Sequence, residues 1–248
     1  MDDDVLRRLS NMVDGVLDLY GLGLTELPES PLWDNVIVLN CSWNNLIKIP
    51  NLSNAVIVKC YHNRLVKLPN MPKVRELFCS ANQLVEIQEL PNIIRLLIHS
   101  NKLTKLPELP NVKNLSCCDN NIYELPDLPN VKTLHCRGNG LKRLPNLPKI
   151  KSLICDNNNL TVLSKMPCPN FLTRARNPLF YNPRFNKIIW DICDFISAFI
   201  CVRRLKRYNM KCFSTKKEKI HIELLYSPYL PFYRDMIKSN NWLENTKK

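Results

Sequence analysis

Residues 112–129 read VKNLSCCDNNIYELPDLP, and residues 131–148 repeat the pattern as VKTLHCRGNGLKRLPNLP. In both directions from this stretch, the same frame recurs every 19 residues. Its most constant member is an asparagine, found at Asn44, Asn63, Asn82, Asn101, Asn120, Asn139 and Asn158. An internal period of this length indicates a stacked repeat architecture, in which each unit buries its apolar face against its neighbours.

The two halves of each unit predict different backbone structures. Apolar residues alternate in the first half, as at Leu115 and Cys117, and this period of two is typical of a short strand with one buried face. The second half reads L-P-x-L-P, as at residues 106–110. Proline lacks an N–H and forces the preceding residue to extend, so this half cannot be a helix interior and predicts an extended convex side.

The unit resembles the leucine-rich repeat, L-x-x-L-x-L-x-x-N-x-L, in a short version that ends in L-P-x-L-P. The resemblance covers residues 17–168 and gives eight units. The first unit is degenerate, with Leu22 in the asparagine position, and an insertion around residues 31–35 follows it. The resemblance implies a repeat solenoid with a parallel β-sheet and a ladder of asparagine hydrogen bonds between units.

Segments without the repeat lie at both ends of the chain. In residues 1–16, apolar residues recur at helical spacing and predict an N-terminal capping helix over residues 3–14. The residues of this apolar stripe are Val5, Leu6, Leu9, Met12, Val13 and Val16. The dipeptide Asn177-Pro178 marks a turn after the repeats fade. A broad apolar stripe then runs from Phe185 to Phe199, so residues 169–248 are predicted to form a small α-helical C-terminal domain.

The positive charge is concentrated near the C-terminus. The net charge is +13, and residues 169–248 hold 16 Lys and Arg against 6 Asp and Glu. The basic patch Arg203, Arg204, Lys206 and Arg207 could dock on nucleic acid or an anionic membrane, although it would also fit a solvated helix end. The most apolar stretch, residues 188–202, is only 15 residues long and contains two aspartates, so no transmembrane segment is predicted.

Six of the eleven cysteines occupy one core-facing position of the repeat. They are Cys41, Cys60, Cys79, Cys117, Cys136 and Cys155. A buried free cysteine packs as a small hydrophobe, and this column predicts packing rather than a disulfide scaffold. The odd cysteine total and the acidic start of the chain, in place of a secretory signal, predict a reducing compartment and a cytoplasmic location.

Strand residues that alternate with the core positions are predicted to face the concave side. Aromatic, apolar and histidine side chains cluster there, and we predict partner binding by Trp43, Tyr61, His62, Phe78, Leu97, His99 and His135. Exposed apolar clusters mark interaction sites, and Trp and Tyr are favoured binding anchors. The alternative is that these aromatics only pack along the sheet.

Neither a cofactor nor an enzymatic function is predicted. His99, Cys118 and His135 would lie on adjacent strands and are ligand types that zinc accepts, but no C-x-x-C or H-x-x-x-H spacing supports a site. The chain has five glycines, no Gly-rich phosphate loop and no G-x-S-x-G or H-E-x-x-H motif. Composition and motifs therefore favour binding over chemistry.

Two further resemblances bear on function. The units look like those of bacterial effector ubiquitin ligases, but those carry a longer catalytic domain with a nucleophilic Cys in a C-x-D context, and Cys193-Asp194 has the wrong spacing. The Asn- and Cys-rich units, and the tail from Leu224 to Tyr233, resemble leucine-rich repeat proteins of giant DNA viruses of amoebae. That resemblance implies a viral protein in the host cytoplasm.

The sequence thus predicts a monomeric, non-enzymatic protein–protein interaction module that binds an unknown protein partner on its concave face, with a host component as one possibility. The alternative is an adaptor, in which the repeats select a target while the basic C-terminal domain docks on nucleic acid or an anionic membrane.

Overall fold

A computed structural model of the chain describes residues 2–161, 167 and 169–181. These residues all belong to one compact unit, Met1–Tyr181. The helices predicted beyond residue 181 and the basic patch at Arg203, Arg204, Lys206 and Arg207 lie outside the described residues. The adaptor alternative, which depends on that patch, stays a prediction.

The chain begins with the predicted capping helix, α1, at Asp2–Ser10. Val5 and Leu9 are buried on its inner face, one helical turn apart as an amphipathic stripe requires. Near its outer surface, Asp4 pairs with Arg7 and Arg8 at 2.6 and 3.0 Å. The helix therefore covers the first turn of the solenoid with apolar side chains and presents charged ones to solvent.

The helix is shorter than the predicted span of residues 3–14. Asp14 and Gly15 adopt left-handed backbone angles, with φ of 53° and 68°, and these turn the chain into the first strand. Val13 and Val16, which the helical spacing assigned to the buried stripe, are instead 73% and 52% exposed. Two consecutive left-handed residues cannot continue a right-handed helix, which explains the difference.

Nine three-residue strands form one parallel sheet in sequential order. They are β1 Val16–Asp18, β2 Val38–Asn40, β3 Ile57–Lys59, β4 Glu76–Phe78, β5 Arg95–Leu97, β6 Asn114–Ser116, β7 Thr133–His135, β8 Ser152–Ile154 and β9 Phe171–Thr173. Equivalent residues pair across every strand boundary, as Leu96 does with Leu115. From β1 to β8 the middle residue is buried and its two neighbours are not, as period-two patterning predicts.

The sheet continues past the predicted end of the repeats at residue 168. Strand β9 pairs with β8 in the same register, and Asn177 is fully buried. Residues 169–181 thus extend the solenoid, although the sequence assigned them to the C-terminal domain. The unit was hard to recognise because Arg174 stands at the usual cysteine position, which removes one marker while Leu172 and Asn177 are retained.

The described repeats contain no α-helix, and only two 3-10 helices interrupt them, at Pro31–Asn35 and Pro178–Tyr181. The first lies in the insertion after the degenerate unit. Its Trp33 is buried and donates from Nε1 to the Pro28 carbonyl at 2.9 Å. The insertion therefore fills part of the core with a tryptophan side chain that an ordinary 19-residue unit would not supply.

The core is one continuous stack of columns rather than a set of separate clusters. The strand leucines form one wall, and the L-P-x-L-P leucines, such as Leu106 and Leu109, form the opposite one. Fully burying a leucine side chain contributes on the order of 2 kcal/mol. Because the prolines prevent both helix and ladder pairing, the convex side is extended, as the sequence predicted.

Candidate functional site

One asparagine side chain in each turn links that turn to the preceding one. The Asn120 side chain accepts from the Leu103 N–H at 3.1 Å. It donates to the carbonyls of Ile98 and Cys117 at 3.0 and 3.2 Å. The equivalent residues repeat this geometry, at Asn44, Asn63, Asn82, Asn101, Asn139 and Asn158. A primary amide suits the position because it donates and accepts at once.

The ladder has an eighth member, Asn177, which the sequence suggested only as part of a turn. It accepts from the Leu160 N–H at 3.1 Å and donates to the Cys155 carbonyl at 2.9 Å. The spacing of 19 residues from Asn158 was the available signal.

A second asparagine ladder, which sequence reasoning missed, runs along the flank that precedes the strands. Its members donate to a carbonyl 20 residues earlier, at 2.8 to 2.9 Å, and they are Asn54, Asn92, Asn111 and Asn130. Three of these asparagines directly follow the second proline of L-P-x-L-P or its equivalent, and that dipeptide was the available signal.

The register of the sheet arranges outward-facing side chains in columns on the concave side. Strand pairing aligns Lys59, Phe78, Leu97, Ser116 and His135 in one column. All of these side chains are exposed or half-buried, whereas the middle residues of their strands are buried. Phe78 and Leu97 therefore give this column an apolar centre on a surface that faces outwards.

Three ring side chains at the N-terminal end of this face contact one another. The rings of Trp43 and His62 stack with centroids 4.1 Å apart and planes inclined by 23°. Tyr61 meets His62 edge-on at 6.0 Å. Trp43 nevertheless remains 52% exposed. Such ring pairs contribute about 0.5–1.5 kcal/mol each, so the cluster holds a preformed aromatic surface open to solvent.

The third residue after the end of each strand adopts a left-handed backbone conformation. Trp43 and His62 have φ of 58° and 53°, and Ala81 has φ of 54°. Gly138 occupies the same position, where a Cβ would lie 2.3 Å from Oδ1 of Asp119. Because every turn shares this conformation, it belongs to the repeat itself and not to a binding site. It does project Trp43 and His62 from the sheet edge.

Burial affects the pKa of two histidines on the concave face, His99 and His135. Burial lowers the pKa of His99, an effect that the carboxylate of Asp119 partly offsets, and burial also lowers the pKa of His135. Within the described part of the chain, no three side chains of metal-binding type converge on one point. His99, Cys118 and His135 lie on three adjacent strands without forming such a group.

The six cysteines of the core-facing column are fully buried. Burial raises the pKa of Cys41 and Cys136 well above the ordinary value. The pKa of Cys60 is also raised well above it, first by a side-chain hydrogen bond with Cys79 and then by burial. Burial raises the pKa of Cys155 to about 12. The seven described cysteines are all free. A nucleophilic cysteine needs the thiolate, so the buried cysteines whose pKa is raised act as packing groups.

A parallel sheet in sequential strand order with one bridging asparagine per turn is the fold of leucine-rich repeat proteins. Among the helices that the structure describes, none has the length and apolar character needed to cross a bilayer. No protein-family model matches the sequence, and no curated protein matches it either.

Solved structures with similar folds are themselves leucine-rich repeat proteins. The chain is 34% identical to YopM of Yersinia enterocolitica (TM-score 0.58), with 62% of this chain and 35% of that chain covered. It is 30% identical to YopM of Yersinia pestis (TM-score 0.60), covering 71% and 56%. A leucine-rich repeat protein of Leptospira interrogans shares 24% identity over 73% and 60% (TM-score 0.57). The chain thus spans roughly a third to three fifths of these proteins' lengths.

Proposed function

We propose that the chain is a non-enzymatic protein-interaction module that binds a partner protein on the N-terminal half of its concave face. The observation that carries the proposal is the ring cluster of Trp43, Tyr61 and His62, continued by Phe78 and Leu97 at outward-facing positions. Trp and Tyr are favoured anchors at protein interfaces, and an exposed apolar patch of this kind is typical of an interaction site. His99 lies on the same half of the face, and we further propose that His135, in strand β7, extends the surface beyond that half.

The class of partner follows from the comparisons and the composition. The Yersinia pestis protein is described as a leucine-rich effector protein, which supports an analogous role here, directed at a host component. The resemblance of the units and the tail to proteins of giant DNA viruses of amoebae supports a viral origin and action in the host cytoplasm. The reducing environment that the buried free cysteines favour agrees with that location. We further propose that the module acts as a monomer.

The proposal is tested by capturing partners from amoebal cytosol with the intact chain and with a Tyr61→Glu/Phe78→Glu variant. Both side chains are half-buried on the outer face of the sheet, so the variant should fold while a buried charge opposes docking of an apolar partner. A specific captured protein should be lost with the variant. In calorimetric titration, the affinity of this partner for the purified variant should be on the order of 100-fold lower than its affinity for the intact chain.

The matched control is Cys118→Glu/Ile154→Glu, which places the same charges in the same two columns on the C-terminal half. Both of these side chains are also half-buried. The control should retain the partner. Equal capture by the two variants and the intact chain would show that the aromatic half is not the binding surface. Equal loss in both would place binding elsewhere on the concave face.

A further inference from the structure

Three lysines lie in a row on the flank that precedes the strands. Lys113, Lys132 and Lys151 occupy equivalent positions in consecutive turns. The Lys132 N–H donates to the Lys113 carbonyl, and the Lys151 N–H to the Lys132 carbonyl, both at 2.8 Å. The three backbones are therefore stacked at the strand spacing of about 4.8 Å. All three side chains are exposed, and we call this set the lysine row.

No ion pair neutralises the lysine row within the part of the chain that the structure describes. The position of the lysine row and the position two residues before it hold three more exposed cations, Lys73, Arg75 and Lys149. Half-buried Ile94 separates Arg75 from Lys113, and no Asp or Glu occurs at these two positions between residues 54 and 151. Like charges on adjacent strands repel one another. An anionic partner would remove that repulsion.

The opposite flank, which follows the ladder asparagines along the chain, has a different arrangement of charges. There, cations and carboxylates from consecutive turns pair, as Lys67 does with Glu86 at 3.1 Å and Arg143 with Glu124. The repeat therefore permits charge pairing between turns, and the unpaired lysine row is a property of one flank alone.

Aliphatic side chains occupy the N-terminal end of the same flank. Ile37 takes the position of the lysine row in an earlier turn and is 43% exposed. Val13, which precedes strand β1, is 73% exposed, and Val16, the first residue of β1, is 52% exposed at the adjoining edge of the concave face. The N–H groups of Ile37 and Val38 both donate to the Gly15 carbonyl, at 2.8 and 3.0 Å. The three exposed aliphatic residues are thus held on adjacent turns at the start of a flank that becomes basic further along.

We propose that this flank docks on an anionic membrane surface, with the aliphatic end entering the headgroup boundary and the lysine row contacting acidic lipid headgroups. Peripheral membrane binding combines buried apolar area with electrostatic attraction in this way, and each Lys or Arg near the surface contributes about a fivefold gain in affinity. Nucleic acid fits less well. The two basic columns contain no aromatic side chain on which a base could stack, and phosphates gain nothing from exposed valine and isoleucine.

The test is sedimentation of the full-length chain with vesicles of 30% phosphatidylserine and 70% phosphatidylcholine, compared with phosphatidylcholine alone. Lys113→Gln, Lys132→Gln and Lys151→Gln are combined in one variant. The control combines Lys48→Gln, Lys102→Gln and Lys105→Gln, exposed lysines of the opposite flank with the same loss of charge. Binding to the acidic vesicles should fall on the order of 100-fold in the first variant, and by less than fivefold in the control.

A second variant, Val13→Asn, tests the aliphatic end without touching the charge, and it should weaken vesicle binding severalfold because this valine is exposed and contributes apolar area. Equal vesicle binding by the two triple variants would assign membrane affinity to net charge or to the tail, and would overturn the proposal. If the intact chain bound duplex DNA but no vesicles, and the lysine-row variant lost DNA binding, the ligand of this flank would be nucleic acid and the membrane proposal would be overturned.

Discussion

At the scale of the residue, the fold depends on one side chain that can donate and accept hydrogen bonds in the same place. The ladder asparagine satisfies carbonyls of its own and the preceding turn, and also an N–H that the inward bend of the chain would otherwise leave unpaired. Leu22 can take the asparagine position in the first unit because α1, and not another turn, precedes that unit among the described residues. A ladder amide at Leu22 would have no preceding turn to bond. The exception therefore follows from the same physical rule as the repeat.

Removal of one ladder amide should cost far more than removal of one amide from the flank ladder. Asn101 is buried, accepts from the Leu84 N–H and donates to the Cys79 carbonyl, at 3.0 Å in each case. Asn101→Ala leaves these groups buried and unpaired, so we expect a loss of about 3 kcal/mol in the free energy of unfolding. The measurement is urea denaturation followed by circular dichroism.

Asn111→Ala is the matched control, because it also deletes an amide but at an exposed position with a single bond to Pro91. Water can replace that bond, and we expect a loss below about 1 kcal/mol. Similar losses of unfolding free energy in the two variants would mean that burial adds little to what a ladder asparagine contributes to stability.

At the scale of the element, strands and core walls were predictable because their patterns are local and repeated. Leu115 and Cys117 show the buried face of a strand, and L-P-x-L-P excludes helix wherever it occurs. The end of α1 was not predictable from apolar spacing, since Val13 and Val16 keep the helical rhythm while the backbone at Asp14 leaves it. Strand β9 was missed because its unit carries the charged Arg174 at a position that is Cys, Ile or Leu in all the other units.

The placement of β9 in the solenoid can be tested through the amides that it protects. The N–H groups of Cys155 and Asn157 donate to the carbonyls of Thr173 and Ala175, at 2.9 and 2.8 Å. Asn177→Ala removes the side chain that holds this turn to its neighbour. Exchange of the Cys155 and Asn157 amides with deuterium should then accelerate at least 10-fold, corresponding to about 1.4 kcal/mol of lost local stability.

The control for that experiment is Asn159→Ala, at an exposed asparagine of the preceding turn. It should leave both amides protected. Amides of central strands such as β5 should exchange at their original rates in both variants, because each repeat contacts only its neighbours. Unchanged protection after Asn177→Ala would indicate that β9 is not anchored through its ladder residue.

At the scale of the whole molecule, stacking of the repeats aligns residues that are 19 positions apart into columns. The columns together form surfaces with different chemistry. Period-two patterning was enough to predict that Phe78 and Leu97 face outwards, so the candidate binding face could be located from the sequence. The stacking of Trp43 on His62 was not predictable, since it depends on a left-handed backbone conformation that a bulky residue such as Trp43 does not favour. The lysine row was present in the sequence at 19-residue spacing, but its isolation from carboxylates required the fold.

The proposed membrane surface implies a conflict between stability and binding. In the lysine row, Lys132 lies between Lys113 and Lys151 on adjacent turns. Lys132→Glu replaces two repulsions by two attractions between exposed charges, and should raise the free energy of unfolding by about 0.5 kcal/mol at low ionic strength. The gain should shrink in 0.5 M salt, where the Debye length falls to about 4 Å.

Lys102→Glu, whose neighbours at equivalent positions are Gln83 and Asn121, should change stability little. If Lys132→Glu is more stable than the unaltered chain and binds vesicles more weakly, the lysine row lowers stability and serves membrane binding. If Lys132→Glu destabilises the chain at low salt, the three lysines are not close enough to act as one site.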